Sequence, residues 1–100
     1  SYTLNGWIIN MKSGGKLSPH MHDHAWITCS IYINVPKNKI ADSGNLVACI
    51  DDKETCENPK KIIDVVTGSI CLFPSSLFHY TIPFVSDEER IVLAFDVVPK

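Results

Sequence analysis

The chain has 100 residues, of which 45% are hydrophobic and 20% charged, a size and balance that give one globular domain and exclude a disordered one. Its formal charge of −2 with the histidines neutral argues against a basic nucleic-acid surface or a polybasic membrane surface. No apolar run approaches the roughly 18–20 residues of a membrane span, and no basic stretch followed by an apolar one reads as a signal peptide.

Seven extended segments follow one another: Tyr2–Met11, Trp26–Val35, Asn45–Ile50, Lys61–Val66, Ser69–Phe73, Leu77–Ile82 and Arg90–Val98. Ile and Val total 20 against 10 for Ala and Leu, and β-branched side chains favour strands over helices. The first segment runs into the turn Ser13-Gly14-Gly15 and then into a histidine-rich hexapeptide, Pro19 to His24. In Trp26–Val35 the odd positions, Ile27, Cys29, Ile31, Ile33 and Val35, are all apolar and are expected to be packed core. Its even positions, Trp26, Thr28, Ser30, Tyr32 and Asn34, face either solvent or a polar cavity. Trp26 itself, like Tyr80, reads as a packing residue.

Turns at Pro36-Lys37-Asn38 and Asp42-Ser43-Gly44 lead to Asn45–Ile50. The acidic stretch Asp51 to Glu57 reads as a solvated loop or a lid, with room for a short helical turn within Asp51–Pro59. Thr67-Gly68 and Pro74-Ser75-Ser76 separate the next three segments. In Leu77–Ile82, His79 shares a face with Thr81. In the last segment Arg90 shares a face with Val92, Ala94 and Asp96, opposite the apolar face of Ile91, Leu93, Phe95 and Val97. Nowhere do apolar residues recur at helical spacing over three turns. Short strands of this kind in one small domain mean an all-β sandwich or barrel.

Cys29, Cys49, Cys56 and Cys71 show no C-x-x-C pair, which excludes zinc-ribbon and thioredoxin motifs. Three lie in apolar runs and Cys56 in the polar loop, so they read as reduced thiols in a cytoplasmic protein, with two disulfides in a secreted domain as the alternative.

Three of the four histidines are His20, His22 and His24. Side chains two apart on an extended chain point the same way, and His-x-His supplies two imidazoles to one metal. His79, on a distant strand, supplies a third. Two near ligands and one distant one suit a metal at a barrel mouth with coordination positions left open. The competing reading is an exposed histidine-rich loop and a core histidine at position 79. His24 reads as lying behind the ligands or on the surface. Arg90 opens an otherwise apolar strand, where a guanidinium suits bidentate capture of a carboxylate. Its alternative is a surface arginine paired with Asp87, Glu88 or Glu89.

These residues stand in a recognisable order: a Gly-Gly loop, His20-x-His22, Ile27-Thr28-Cys29, Tyr32-Ile33-Asn34-Val35-Pro36, Gly44-x-Leu46, Gly68-Ser69-Ile70, Phe73-Pro74-Ser75, His79 and Glu89-Arg90-Ile91. Together they resemble the Fe(II)- and 2-oxoglutarate-dependent oxygenase superfamily. More narrowly, they are similar to the 2-oxoglutarate/Fe(II) oxygenase domains found next to tetratricopeptide repeats, and Thr28 to Asn34 is similar to the prolyl hydroxylase branch. The resemblance implies a double-stranded β-helix, the jelly-roll or cupin-like barrel. It implies Fe(II) held by His20, His22 and His79, with Asp23 as the alternative to His22, and 2-oxoglutarate held by Arg90 with Tyr32 as a hydrogen-bond partner. Ascorbate is a further cofactor that it suggests. Two departures stand out. The superfamily has an Asp or Glu two residues after the first histidine, where this chain has His22. Many members have Ser or Thr two residues after the arginine, where this chain has Val92.

The expected activity is oxidation, as a hydroxylase, of a protein residue or a small metabolite with release of succinate and CO2. A cupin-like three-His dioxygenase or isomerase that does not use 2-oxoglutarate, and a barrel without catalysis, are the alternatives. Residues 1–100 are expected to be a single barrel domain excised from a longer chain, with a flanking repeat domain as a partner. Nucleic-acid and membrane partners are not expected. Substrate choice is assigned to flanking sequence or to the loops Lys37–Gly44 and Asp51–Lys60.

Overall fold

The β-branched runs and their turns form eight antiparallel strands in a computed structural model, which describes residues 1–15, 17–37, 40–49 and 60–100. The strands are β1 (Tyr2–Met11), β2 (Leu17–His20), β3 (Ile27–Asn34), β4 (Leu46–Cys49), β5 (Lys60–Ile63), β6 (Ile70–Pro74), β7 (Phe78–Thr81) and β8 (Arg90–Pro99). They form two four-stranded sheets, ordered β1-β8-β3-β6 and β2-β7-β4-β5. Successive strands pass from one sheet to the other except at β4 and β5, which pair as neighbours, and two such antiparallel sheets make this the expected jelly-roll, a double-stranded β-helix. The described residues contain no helix, and none long and apolar enough to cross a membrane.

Seven segments were legible as strands and β2 was not. Its four residues include a proline, which lacks the N–H that a central strand needs. β2 sits at the edge of its sheet, paired only with β7, where that lack is tolerated. The loop expectations for Asp51–Pro59, including the helical turn and the lid, lie outside the described residues.

The face expected to be core in Trp26–Val35 is corrected. Cys29 and Val35 are buried, but Ile27 is 42% and Ile33 47% exposed. They belong to the outer face of the larger sheet, with Ile8 and Leu93 in the same cross-strand row as Ile31 and Ile70. The even face turns inward instead, because the barrel interior holds polar groups: Thr28, Ser30 and Tyr32 all line the central cavity. The strand alternates as its sequence predicts, but the usual rule that the apolar face is the inner one fails where the interior is a site. Trp26 is likewise 58% exposed rather than packed, whereas Tyr80 packs against Val47 and Cys49.

Between the sheets, Tyr32, Val35, Leu46, Val65, Phe73 and Val92 form the core cluster. Gly44 has φ +75°, a left-handed conformation that costs an L-residue about 1–2 kcal/mol, and its carbonyl accepts a bond from Arg90 Nε at 3.0 Å. Cys29 and Cys71 are free thiols, as expected. Cys49 is not: it is disulfide-bonded. Cys56 lies outside the described residues.

Candidate metal centre

Antiparallel pairing of β2 with β7 sets His20 directly opposite His79. Side chains of directly opposed residues lie on one face of the sheet, and these two rings approach to 4.2 Å between centroids. His22 is two residues past the end of β2, where the chain turns toward β3. The extended conformation assumed from His20 to His24 therefore does not persist. His22 is brought back by a backbone bond from its N–H to the carbonyl of Ser75, 2.9 Å. Its ring lies 5.3 Å from each of the other two. One ligand atom from each of His20, His22 and His79 falls within 4.8 Å of the others.

The donor chemistry of this group fits a metal ion. His79 Nδ1 lies 3.0 Å from the Leu77 carbonyl, which can only accept, so Nδ1 carries the proton and Nε2 the lone pair. His22 Nδ1 lies 2.7 Å from Asp96 Oδ2, which likewise leaves Nε2 as the donor atom toward the group. Burial lowers the His79 pKa to about 4, with the nearby His20 and His22 adding to the effect and the Leu77 carbonyl opposing it. The imidazole is thus neutral near pH 7, the form that binds metal.

Asp23, the alternative ligand, lies outside this group. Its side chain is 88% exposed, and its nearest recorded partner is His24 at 3.7 Å. His24 is half-exposed, with Nε2 3.4 Å from Asp96 Oδ2, so it combines both positions expected of it.

The three imidazoles share a cavity of about 220 Å³ with Trp7, Thr28, Ser30, Tyr32, Arg90, Val92 and Ala94 among its lining. Arg90 is 2% exposed, which excludes the surface-arginine reading. Two of the three acids considered for it are engaged elsewhere: Glu89 accepts from Asn10, and Glu88 from the Lys37 backbone. Its guanidinium lies 5.4 Å from the Tyr32 ring centroid. Among the described residues no carboxylate forms an ion pair with it. A buried guanidinium without a protein anion is costly, and a ligand carboxylate in the same cavity would supply one. Burial raises the Tyr32 pKa, so Tyr32 faces the cavity as a phenol.

Asp96 is a functional residue that the sequence reading does not single out, although it shares a strand face with Arg90. It is fully buried. Besides His22, it accepts a bond from Thr28 Oγ1 at 2.8 Å, and Thr28 Oγ1 lies 2.9 Å from Ser75 Oγ. The signal was available: Asp96 is the one acid on the face that carries Arg90.

A pH dependence follows from His79. The unfolded imidazole titrates near 6.5 and the folded one near 4. Between these values the unfolded state binds a proton that the folded state refuses. Stability of the metal-free chain is therefore greatest above pH 6.5 and falls as pH drops toward 4, by on the order of 3 kcal/mol in total. Urea denaturation at pH 7.5, 5.5 and 4.5 checks this, and His79→Gln is expected to flatten the profile relative to wild type.

Residues 5–96 match the family described as "Putative 2OG-Fe(II) oxygenase". No curated protein sequence matches the chain. Among solved structures, a Pseudomonas putida prolyl-4-hydroxylase superposes with a TM-score of 0.76 at 18% identity, covering 97% of this chain and 52% of that one. An oxidoreductase of the 2OG-Fe(II) oxygenase family from Burkholderia pseudomallei gives 0.79 at 14% identity, covering 98% and 45%. An RmlC-like cupin from Desulfovibrio desulfuricans gives 0.55 at 17% identity, covering 98% and 82%. At these identities the likenesses establish the jelly-roll fold, and the chain spans about half the length of the two oxygenase structures.

Proposed function

The chain belongs to this 2OG-Fe(II) oxygenase family, and from that premise we propose that it is the barrel of an Fe(II)- and 2-oxoglutarate-dependent dioxygenase that hydroxylates an organic substrate. The observation that carries the reading is one cavity lined both by three converging imidazoles and by a buried arginine. His20, His22 and His79 would hold Fe(II), and Arg90 the far carboxylate of 2-oxoglutarate. When bound, the metal supplies reaction of O2 with 2-oxoglutarate, giving succinate, CO2 and one oxygen atom inserted into a C–H bond of the substrate.

The chain's own residues bind and orient. The Arg90 side chain is aimed by its bond to the Gly44 carbonyl, leaving its terminal nitrogens for a carboxylate. The Tyr32 ring lies 5.4 Å from the guanidinium carbon, and its hydroxyl is the second donor for that carboxylate. Val92 and Ala94, on the same inward face of β8, line the cavity with small apolar side chains and leave room for the carbon chain of the cosubstrate. Val92 also removes the hydroxyl that many relatives present there. Trp7, whose ring stacks 5.8 Å from His22, walls the cavity on the β1 side.

The experiment is aerobic incubation with Fe(II) and 2-oxoglutarate, with succinate measured. Expected is metal-dependent succinate formation at a basal rate even without substrate. No succinate above the metal-free control contradicts the reading. The absence of a carboxylate from the three-imidazole group favours one rival, a cupin-type three-His metal protein that ignores 2-oxoglutarate. That rival predicts stoichiometric metal binding with no change in metal absorbance when 2-oxoglutarate is added.

A protein residue or a small metabolite as substrate, ascorbate as a further cofactor and a flanking repeat domain as partner are parts of the same proposal. The disulfide at Cys49 weighs against the cytoplasmic expectation, because reducing compartments keep thiols reduced.

A further inference from the structure

We propose that Asp96 is a positioning residue for the metal, which fixes the proton of His22 on Nδ1 and supplies, from behind that ligand, the negative charge that a set of three imidazoles lacks. This rests on the metal-site reading above. A set of one carboxylate and two imidazoles gives an Fe(II) unit of charge +1, whereas three neutral imidazoles give +2. Asp96 is the buried carboxylate that lies against the ligand group.

The geometry is specific. Asp96 Oδ2 takes the His22 Nδ1 proton at 2.7 Å, and Oδ1 takes the Thr28 hydroxyl proton at 2.8 Å. With its hydrogen committed to Asp96, Thr28 Oγ1 accepts from Ser75 Oγ at 2.9 Å. Ser75 closes the ring by accepting the His22 backbone N–H with its own carbonyl at 2.9 Å. His22 is therefore gripped at both backbone and ring by one circuit of buried groups contributed by β3, β8 and the turn after β6. The circuit has a structural logic: β8 pairs with β3 so that Asp96 stands opposite Thr28, on the inward face of both strands. The remaining neighbour of Asp96 is His24, whose Nε2 lies 3.4 Å from Oδ2 at the rim. A carboxylate that accepts the outer N–H of a ligating imidazole raises the basicity of that ligand and holds its plane. In this chain that arrangement places the acid one step outward from the position where the superfamily has it.

The test uses Co(II), which reports both affinity and ligand environment without consuming O2. Wild type, Asp96→Asn and Thr28→Val are titrated with Co(II) by calorimetry and visible absorbance, and each metal-free chain is melted. Asn keeps the size and an acceptor oxygen but removes the charge. Expected are Co(II) affinity lowered about 10- to 100-fold in Asp96→Asn and a shift of its Co(II) bands. Thr28→Val, which removes one bond to Asp96 but leaves the carboxylate on His22, is expected to lower the melting temperature and to cost Co(II) affinity clearly less than Asp96→Asn does. Equal loss of affinity in both variants would mean a packing role and overturns the proposal, as does unchanged affinity and spectrum in Asp96→Asn. If Asp96→Asn does not fold, nitrogen-15 spectra of the zinc-loaded wild type decide. A His22 proton on Nδ1 with the metal on Nε2 supports the proposal, and the reverse overturns it. A wild-type chain that binds no Co(II) ends the metal-site reading and this proposal together. One that binds Co(II) with the expected Asp96→Asn loss, yet makes no succinate with Fe(II), ends only the oxygenase reading.

Discussion

Replacing His79 with alanine is expected to weaken divalent metal binding by more than about a hundredfold, beyond the 10- to 100-fold cost of losing an outer hydrogen-bond partner. His79 is the deepest of the three imidazoles, buried where His20 and His22 are partly exposed. It is also the one held from a strand interior, between β2 and β4. With it gone, two imidazoles from one short stretch of chain remain, a set that exposed histidine pairs match on many surfaces. Calorimetric titration with Co(II) measures the loss. Melting the metal-free variant alongside wild type separates loss of binding from loss of fold. Retention of stoichiometric, tight binding in His79→Ala would mean that the metal sits elsewhere, for example between His24 and Asp23 at the surface.

Replacing Arg90 with methionine is expected to abolish 2-oxoglutarate binding while leaving metal binding intact. Truncating one side of a buried, hydrogen-bonded charge pair costs about 2–5 kcal/mol, which is roughly 30- to several-thousand-fold in affinity. Methionine keeps the apolar stem that packs beside Val92 and Tyr32 but removes the guanidinium. Arg90→Lys keeps the charge and loses the planar fork, and is expected to fall between the two. The change in metal absorbance on adding 2-oxoglutarate gives the cosubstrate affinity, and the Co(II) titration gives the control. A variant that loses both together would point to a structural arginine whose bond to the Gly44 carbonyl holds the barrel shut.

Much of this was legible in the sequence because the fold is repetitive and its strands alternate. Strand period, turn residues and the apolar outer face of β8 follow from local chemistry. The split of β8 into Arg90, Val92, Ala94 and Asp96 against Ile91, Leu93, Phe95 and Val97 is the one the structure shows. Three things were hidden. β2 is too short and contains proline, so no local pattern marks it. Which face of β3 is interior depends on what the interior holds, and a cavity with polar walls reverses the usual assignment of the all-apolar face. The convergence of His22 comes from a turn and a bond to Ser75, four strands from it in sequence, and not from extended parity along the histidine-rich stretch. The role of Asp96 was concealed for the same reason: strand parity gives a face, while only sheet register sets that face beside Thr28 and His22.

The most direct measurement is a crystal structure of the chain grown anaerobically with Mn(II), a redox-stable stand-in for Fe(II), and 2-oxoglutarate. Expected is one metal ion on His20 and on the Nε2 atoms of His22 and His79, with Asp96 on Nδ1 of His22 and the far carboxylate of 2-oxoglutarate on Arg90. A metal ligated by Asp23, or 2-oxoglutarate bound without contact to Arg90, contradicts that expectation.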